Sequence, residues 1–210
     1  MIKTFLSVGA AAALLSSATL ATAGDFHYNA ITRAVMTKTT ETQTFSLGEI
    51  TLPHFIDTED TQFSGKFVYR DFFSLTGFWT HAEQYEGKVR TNAFVENFRL
   101  FSGGSNPVDI LNADSVKSIA WDNELIGPMA RSEFVNLRVL GQPFEPSGEP
   151  NQAYTVNIVG YGKVHLVFNS EVMQPDGRVT HSAVRIAPPN GEQIFVANVV
   201  AGSTFKIIAP

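Results

Sequence analysis

The fold class is indicated most clearly by the segment KVHLVFNSEVMQPDGRVTHSAVRIAPPNGEQIFVANVV, from Lys163 to Val200. Its apolar residues recur at every second position, and side chains two residues apart lie on one face of a β-strand. The dipeptides Asp176-Gly177 and Asn190-Gly191 interrupt this pattern, and both tolerate the positive φ values that tight hairpins require. The segment therefore predicts an antiparallel meander, which we expect to continue beyond Val200. Its strands are expected at Lys163–Met173, Arg178–Ala187, Gln193–Val200 and Ser203–Ile208.

The same period predicts strands upstream of this meander. They are expected at Gln62–Tyr69, Lys88–Phe101 and Ser115–Trp121, and in RSEFVNLRVL the residues Val135, Leu137 and Val139 are expected to share one face. Two segments rich in glycine, proline and asparagine are predicted to be loops between strands: GGSNPVDILNAD (103–114) and GQPFEPSGEPNQ (141–152). The threonine-rich stretch AITRAVMTKTTETQTF (30–45) is compatible with a strand or with an irregular lead-in.

These short strands and abundant turn residues indicate an all-β protein. The chain has 210 residues with 16 glycines, 10 prolines and 17 phenylalanines, and no convincing helix-period stripe follows the first residues. Aromatic side chains fill the space between two facing sheets efficiently. We therefore predict one antiparallel, jelly-roll-like β-sandwich domain over residues 24–210. A lipocalin-like β-barrel is the alternative, since strand patterning alone does not distinguish the two.

The first residues predict export. MIKTFLSVGAAAALLSSATLATAGDF has a basic Lys3, a small apolar run and the tripeptide Ala21-Thr22-Ala23, the order of a secretory signal peptide. We expect residues 1–23 to be removed and the protein to be secreted or periplasmic. The chain contains no cysteine, so disulfide bonds and thiolate chemistry are excluded.

The charge balance limits the partners. The full chain carries a net charge of −5, and removal of the predicted signal peptide takes away Lys3 and no acidic residue. Nucleic acids and anionic membranes are recognised by basic surfaces, so neither is an expected partner. No later apolar run approaches the ~20 residues of a membrane helix, so we expect no membrane span in the mature chain. The oligomeric state is left open.

Histidine and carboxylate residues offer candidate chemistry in FWTHAEQYEG (78–87). His81 and Glu83 lie two residues apart, so on a strand they would share one face, where they would suit a metal or a general base. The competing interpretation is a polar hairpin turn over Thr80–Gly87, anchored by Phe78 and Trp79. His165 and His181 are predicted to be outward-facing polar residues.

The acidic segment HFIDTEDTQ (54–62) contains Asp57, Glu59 and Asp60, hard oxygen ligands of the kind that calcium prefers. It lacks the spacing of an EF-hand loop, so the competing interpretation is a solvated acidic loop. Calcium is the one metal that the sequence favours, and no other cofactor is indicated.

Aromatic residues are the best candidates for ligand binding. Trp79, Tyr85, Trp121 and Tyr161 are candidate stacking platforms for a polysaccharide or a cell-surface component, unless the tryptophans belong to the core. The sequence has neither a G-x-S-x-G nor an H-E-x-x-H motif. We therefore favour a non-enzymatic exported binding or surface protein. A carbohydrate-active hydrolase or lyase acting through HAEQYE, and a structural self-assembling domain, are the alternatives.

Two segments carry a family resemblance. FSGKFVYRD (63–71) and YEGKVRTNAFVENFRLFSGG (85–104) resemble exported bacterial β-sandwich proteins of the PEP-CTERM-associated kind. The resemblance implies an exported sandwich, and it implies neither an activity nor catalytic residues. The sorting tail of such proteins is not expected here, because STFKIIAP (203–210) has no hydrophobic stretch followed by basic residues.

Overall fold

The computed structural model describes residues 30–39, 42–52, 57–70, 72–85, 88–103, 107–122 and 127–202. The predicted signal peptide and the predicted strand Ser203–Ile208 lie outside these residues. The first sheet consists of β1 (Ala30–Lys38), β2 (Gln43–Leu47), β3 (Ile50–Leu52), β11 (Gln152–Ile158), β12 (Gly162–Met173), β13 (Val179–Ala187) and β14 (Gln193–Ala201). The second sheet consists of β4 (Asp57–Tyr69), β5 (Phe73–Tyr85), β6 (Lys88–Phe101), β7 (Asp109–Asp122), β8 (Met129–Val135), β9 (Arg138–Val139) and β10 (Gln142–Pro143).

The two antiparallel sheets pack face to face, which confirms the β-sandwich. The first sheet has the strand order β11-β12-β13-β14-β1-β2 with β3 beside β1, and the second has the order β10-β9-β7-β6-β5-β4 with β8 beside β7. The sheets stay separate, so the lipocalin-like alternative is wrong. The threonine-rich stretch is resolved as β1 and β2, and β1 lies inside the first sheet because its apolar residues are buried beside β14.

The predicted meander is confirmed as β12, β13 and β14, to within a residue at most ends. Gly177 and Gly191 have φ values of 87° and 80°, as the two hairpin dipeptides require. The segment GQPFEPSGEPNQ is confirmed as the long connection that carries the chain from the second sheet to the first, apart from the short strand β10. The segment with the clearest alternation in the sequence thus forms three adjacent strands of the first sheet.

A line of left-handed residues crosses both sheets, and we call it the crease. In the second sheet it comprises the bulge at Gly65 in β4, Asn97 in β6 and Asn136 after β8. In the first sheet it comprises Gly48, Asn151, Asn169 and Ala197, whose φ values lie between 49° and 63°. The alternation inverts here: Ala93 and Val95 face the core on one side of Asn97, and Phe98 and Leu100 face it on the other.

The crease explains two incorrect predictions. Val135 is 51% exposed while Leu137 and Val139 are buried, because the left-handed Asn136 lies between them and turns the chain. The predicted loop GGSNPVDILNAD contains the first half of β7, which begins at Asp109. A strand whose alternation inverts halfway loses the simple period of two, and its far half then resembles a loop in the sequence.

The crease divides the core into a wide half and a narrow half. Large side chains fill the wide half, among them Phe73, Leu75, Phe98, Leu100 and Leu111. Small side chains fill the narrow half of the second sheet: Thr80, Ala82, Thr91, Ala93, Ser118 and Ala120, all of them fully buried. Facing sheets normally lie about 10 Å apart. Here the Thr32 hydroxyl donates a 2.7 Å hydrogen bond to the main-chain oxygen of Asn92 on the opposite sheet, so the sheets approach each other unusually closely.

This close approach predicts intolerance to larger side chains in the narrow half. Ala93→Leu is expected to lower the free energy of unfolding by about 1–3 kcal/mol, because Ala93 is fully buried and the added carbons would overpack this half of the core. Ala153→Leu, at an exposed position of β11, is the matched control and is expected to change stability by less than about 0.5 kcal/mol. Urea unfolding measures both variants. Equal stability of the two would contradict the close approach.

Candidate functional site

The outward side of the second sheet carries an aromatic platform, which we call the aromatic face: Trp79, Phe94 and Trp121. Trp79 is 36% exposed, and Phe94 and Trp121 are half-buried. None of the three belongs to the buried core cluster of the described residues. Trp79 lies directly opposite Phe94 on the neighbouring strand, which places their side chains on the same side of the sheet. The two tryptophans are therefore surface residues and not core residues.

A polar cluster borders Trp79. The Trp79 and His81 rings stack with their centroids 5.5 Å apart and their planes 16° apart. His81 Nδ1 lies 2.7 Å from Asp60 Oδ1, and His81 Nε2 lies 3.7 Å from Glu83 Oε2. The predicted turn over Thr80–Gly87 is wrong up to Tyr85, because β5 continues as a strand to that residue. Because this segment is a strand, His81 and Glu83 lie on one face, as a metal or general-base site at these two residues would require.

Charged groups of both signs surround the other end of the aromatic face. Lys117 Nζ lies 3.5 Å from Glu133 Oε2, and Arg131 Nη2 lies 3.2 Å from Glu133 Oε1. Arg90 is exposed and lies directly opposite Trp121. Flat rings are thus flanked by hydrogen-bond donors and acceptors, an arrangement that suits a ligand with apolar faces and hydroxyl edges.

The two predicted tyrosines are placed differently from the tryptophans. Tyr85 ends β5, but its side chain lies outside the described residues. Tyr161 packs against the core, with its ring centroid 6.4 Å from that of Phe72, and burial raises the pKa of its hydroxyl. The hydroxyl has no hydrogen-bond partner among the described residues. The structure thus brings Trp79 and Trp121 to one surface and leaves Tyr161 away from it.

The acidic residues predicted to bind calcium lie on a strand. Asp57, Glu59 and Asp60 belong to β4, so the prediction of a solvated loop is wrong for these residues. Neighbouring residues of a strand point to opposite faces, so Glu59 and Asp60 diverge, and Asp60 contacts His81. The described residues contain no group of three or more histidine or acidic side chains suited to a metal ion. Calcium binding here stays a prediction.

The sequence prediction missed a second cluster, formed by Ser132, Glu171 and His181. Ser132 Oγ and His181 Nε2 share a hydrogen bond of 2.7 Å, and His181 Nδ1 lies 3.6 Å from Glu171 Oε2. The prediction that His181 faces outward is wrong, since it is 1% exposed. Val184 and Ile186 face the core on one side of the crease. His181 lies on the other side, where the alternation is inverted and odd-numbered residues face the core. His165 is exposed, as predicted, and contacts Thr155.

This cluster lines a cavity of about 310 Å³ beside β8, with Arg131 and Asn169 among the other lining residues. Burial lowers the pKa of His181 to about 4, so the imidazole is neutral at neutral pH. Burial raises the pKa of the Glu171 carboxyl. The three residues lie on β8, β12 and β13 and form no local motif, so the sequence held no signal that would have joined them.

Comparisons with protein-family models, with curated proteins and with solved structures each find no match to the chain. Within the described parts of the chain, no helix is long and apolar enough to cross a membrane. The two clusters are therefore interpreted from their own geometry and chemistry.

Proposed function

We propose that the protein is an exported binding protein whose aromatic face binds a polysaccharide without cleaving it. One observation carries this proposal: both tryptophans of the chain lie on the outward side of one sheet, outside the core. Aromatic rings that remain accessible on a rigid sheet present large apolar areas at low conformational cost. A sugar ring offers a matching apolar face, while its hydroxyl groups can be recognised by the bordering side chains.

The spacing of the tryptophans favours an extended ligand. Trp121 lies level with Arg90 and Glu83, which is two strands across and four residues along from Trp79. Strand spacings of about 4.8 Å and rises of about 3.4 Å per residue then separate the two Cα atoms by about 17 Å. A single monosaccharide does not span this distance. The ligand class is therefore a chain of sugar units lying along the sheet.

The polar groups supply the means of orientation. Asp60, His81 and Glu83 form a polar row beside Trp79, and Arg90 and Arg131 extend from the neighbouring strands. Carboxylates accept hydrogen bonds from sugar hydroxyls, and guanidinium groups donate to them. The same row lies on an open sheet surface, which supports binding better than the alternative hydrolytic role of HAEQYE.

The edge of the second sheet gives less support to a self-assembling domain. Its outer strand β4 carries Glu59, Asp60 and Lys66 and a bulge at Gly65. Charges and bulges on an edge strand hinder pairing with another chain. A self-assembling sheet would gain from the opposite, a long uncharged edge.

Loss of either tryptophan is expected to weaken binding strongly. In titrations with a panel of soluble polysaccharides, Trp79→Ala and Trp121→Ala are each expected to raise the Kd of the bound glycan at least about tenfold. Intrinsic fluorescence monitors binding directly, since these are the two tryptophans of the chain. Tyr154→Ala removes an exposed aromatic of the other sheet and is the control that keeps wild-type affinity. Unchanged affinity in both tryptophan variants, or no binding to any polysaccharide, would refute the proposal.

A further inference from the structure

We propose that Ser132, His181 and Glu171 form a nucleophilic site that hydrolyses small acyl esters. A serine activated by a histidine, which is in turn oriented by a carboxylate, is recognised by its geometry and not by its position in the sequence. Here the serine oxygen lies 2.7 Å from one imidazole nitrogen, and the carboxylate faces the other nitrogen at 3.6 Å. Contacts of catalytic groups are often long in unliganded structures and shorten around the substrate.

The fold positions the three groups firmly. Glu171 and His181 lie directly opposite each other on β12 and β13, and Ser132 approaches from β8 of the other sheet. The close approach of the sheets in the narrow half lets the serine reach the imidazole. His181 Nδ1 is buried and has no hydrogen-bond partner within 3.5 Å among the described residues, so this nitrogen is available to the Glu171 carboxylate.

The cavity defines the substrate class. Its volume of about 310 Å³ is at the small end of ligand pockets, so it suits a short acyl group and not a polymer segment. Arg131 and Asn169 provide N–H donors in its lining, the kind of group that stabilises an oxyanion. Glycoside cleavage normally requires two carboxylates, and Glu171 is the one carboxylate among the described residues of this lining.

The reaction balances with water as the co-substrate. The Ser132 oxygen attacks the ester carbonyl carbon while His181 Nε2 takes the hydroxyl proton, and Glu171 stabilises the imidazolium. The carbon–oxygen bond to the alcohol then breaks, and the departing oxygen receives the proton from His181. Water attacks the acyl-serine and transfers its proton to the same nitrogen. The carboxylic acid leaves, and Ser132 recovers its proton.

This inference does not depend on polysaccharide binding: Ser132 and His181 join the two sheets, whereas the tryptophans lie on the outward side of the second sheet, and Arg131 borders both places. The test combines hydrolysis of 4-nitrophenyl acetate with labelling by diisopropyl fluorophosphate, followed by peptide mapping. We expect the label on Ser132, and we expect Ser132→Ala to lower kcat/KM by about 10³-fold or more. Ser118→Ala is the matched control, because Ser118 is the buried serine directly opposite Ser132 on β7.

Glu171 acts as a positioning residue. Glu171→Gln is expected to lower kcat by about tenfold or more with little change in KM, and Glu171→Asp is expected to restore part of the loss. Thermal unfolding of each variant checks that it folds. The absence of label on Ser132 in the folded wild-type protein, or equal hydrolysis by Ser132→Ala and Ser118→Ala, would overturn the proposal.

Discussion

Acidification from pH 6.5 to pH 4 is expected to cost the folded protein about 3 kcal/mol through His181 alone. Its pKa is about 4 in the folded protein, whereas an unperturbed histidine, as in the unfolded chain, has a pKa of 6.5. Between these values the unfolded chain binds the proton and the folded protein does not, so the contribution is complete above pH 6.5 and is lost as the pH falls to about 4. Each pH unit in this window corresponds to about 1.4 kcal/mol.

Comparison with His181→Gln isolates this contribution. Glu171, whose raised pKa acts in the opposite direction, and Arg131 border the same cavity and remain in both proteins. Asp176 also remains, with a pKa lowered by its hydrogen bond to Arg178. Urea unfolding of wild type and variant at pH 4, 5, 6 and 7 should give a stability difference that changes with pH. A constant difference would show that His181 titrates normally in the folded protein.

Truncation of Phe73 is expected to have the largest effect of any single core substitution. Phe73→Ala should lower the free energy of unfolding by about 3–5 kcal/mol, since it removes a fully buried ring from the wide half of the core. The ring packs 5.1 Å from Tyr69 and 5.9 Å from Phe98, centroid to centroid. The contacts of the narrow half limit how far the sheets can close over the space left behind.

Two further variants serve as references for the size of this loss of stability. Phe73→Leu keeps most of the volume and should cost less than Phe73→Ala in the same urea titration. Val159→Ala, at a position that is 98% exposed, should stay within about 0.5 kcal/mol of wild type. A loss below about 1 kcal/mol for Phe73→Ala would mean that the wide half collapses freely, contrary to the division of the core described above.

The sequence was sufficient for the fold wherever an unbroken alternation ran through at least half of a strand. β12, β13 and β14 were predicted because their core halves carry an unbroken period of two and their turns contain glycine at positions of positive φ. The first half of β7 and the inward face of His181 were predicted wrongly, since the alternation inverts at the crease in these strands. Asn97, Asn136 and Asn169 occupy left-handed conformations that asparagine tolerates, but the sequence alone does not separate such an asparagine from a turn.

The candidate sites show the same limit. Trp79 and Trp121 were predicted as ligand-binding aromatics from residue type, but their common face depends on the register of β5, β6 and β7. Tyr161 had the same residue type and lies against the core. Ser132, Glu171 and His181 were not predicted as a group, because they come from three strands in two sheets. No local residue spacing in the sequence indicates that these side chains meet.

The crease also limits how these strands can be lengthened or transferred to another protein. In β6, β12 and β14 the two half-strands on either side of the crease have inward-facing positions of opposite parity, and the left-handed Asn97, Asn169 or Ala197 is the point where they join. Insertion of an odd number of residues on one side of that point would turn the core-facing side chains of that half-strand to the surface and its surface side chains to the core. Alanines of the narrow half would then be exposed, or charges of the aromatic face would be buried. Grafting a different binding surface onto the sandwich therefore requires even insertions, made on one side of that line.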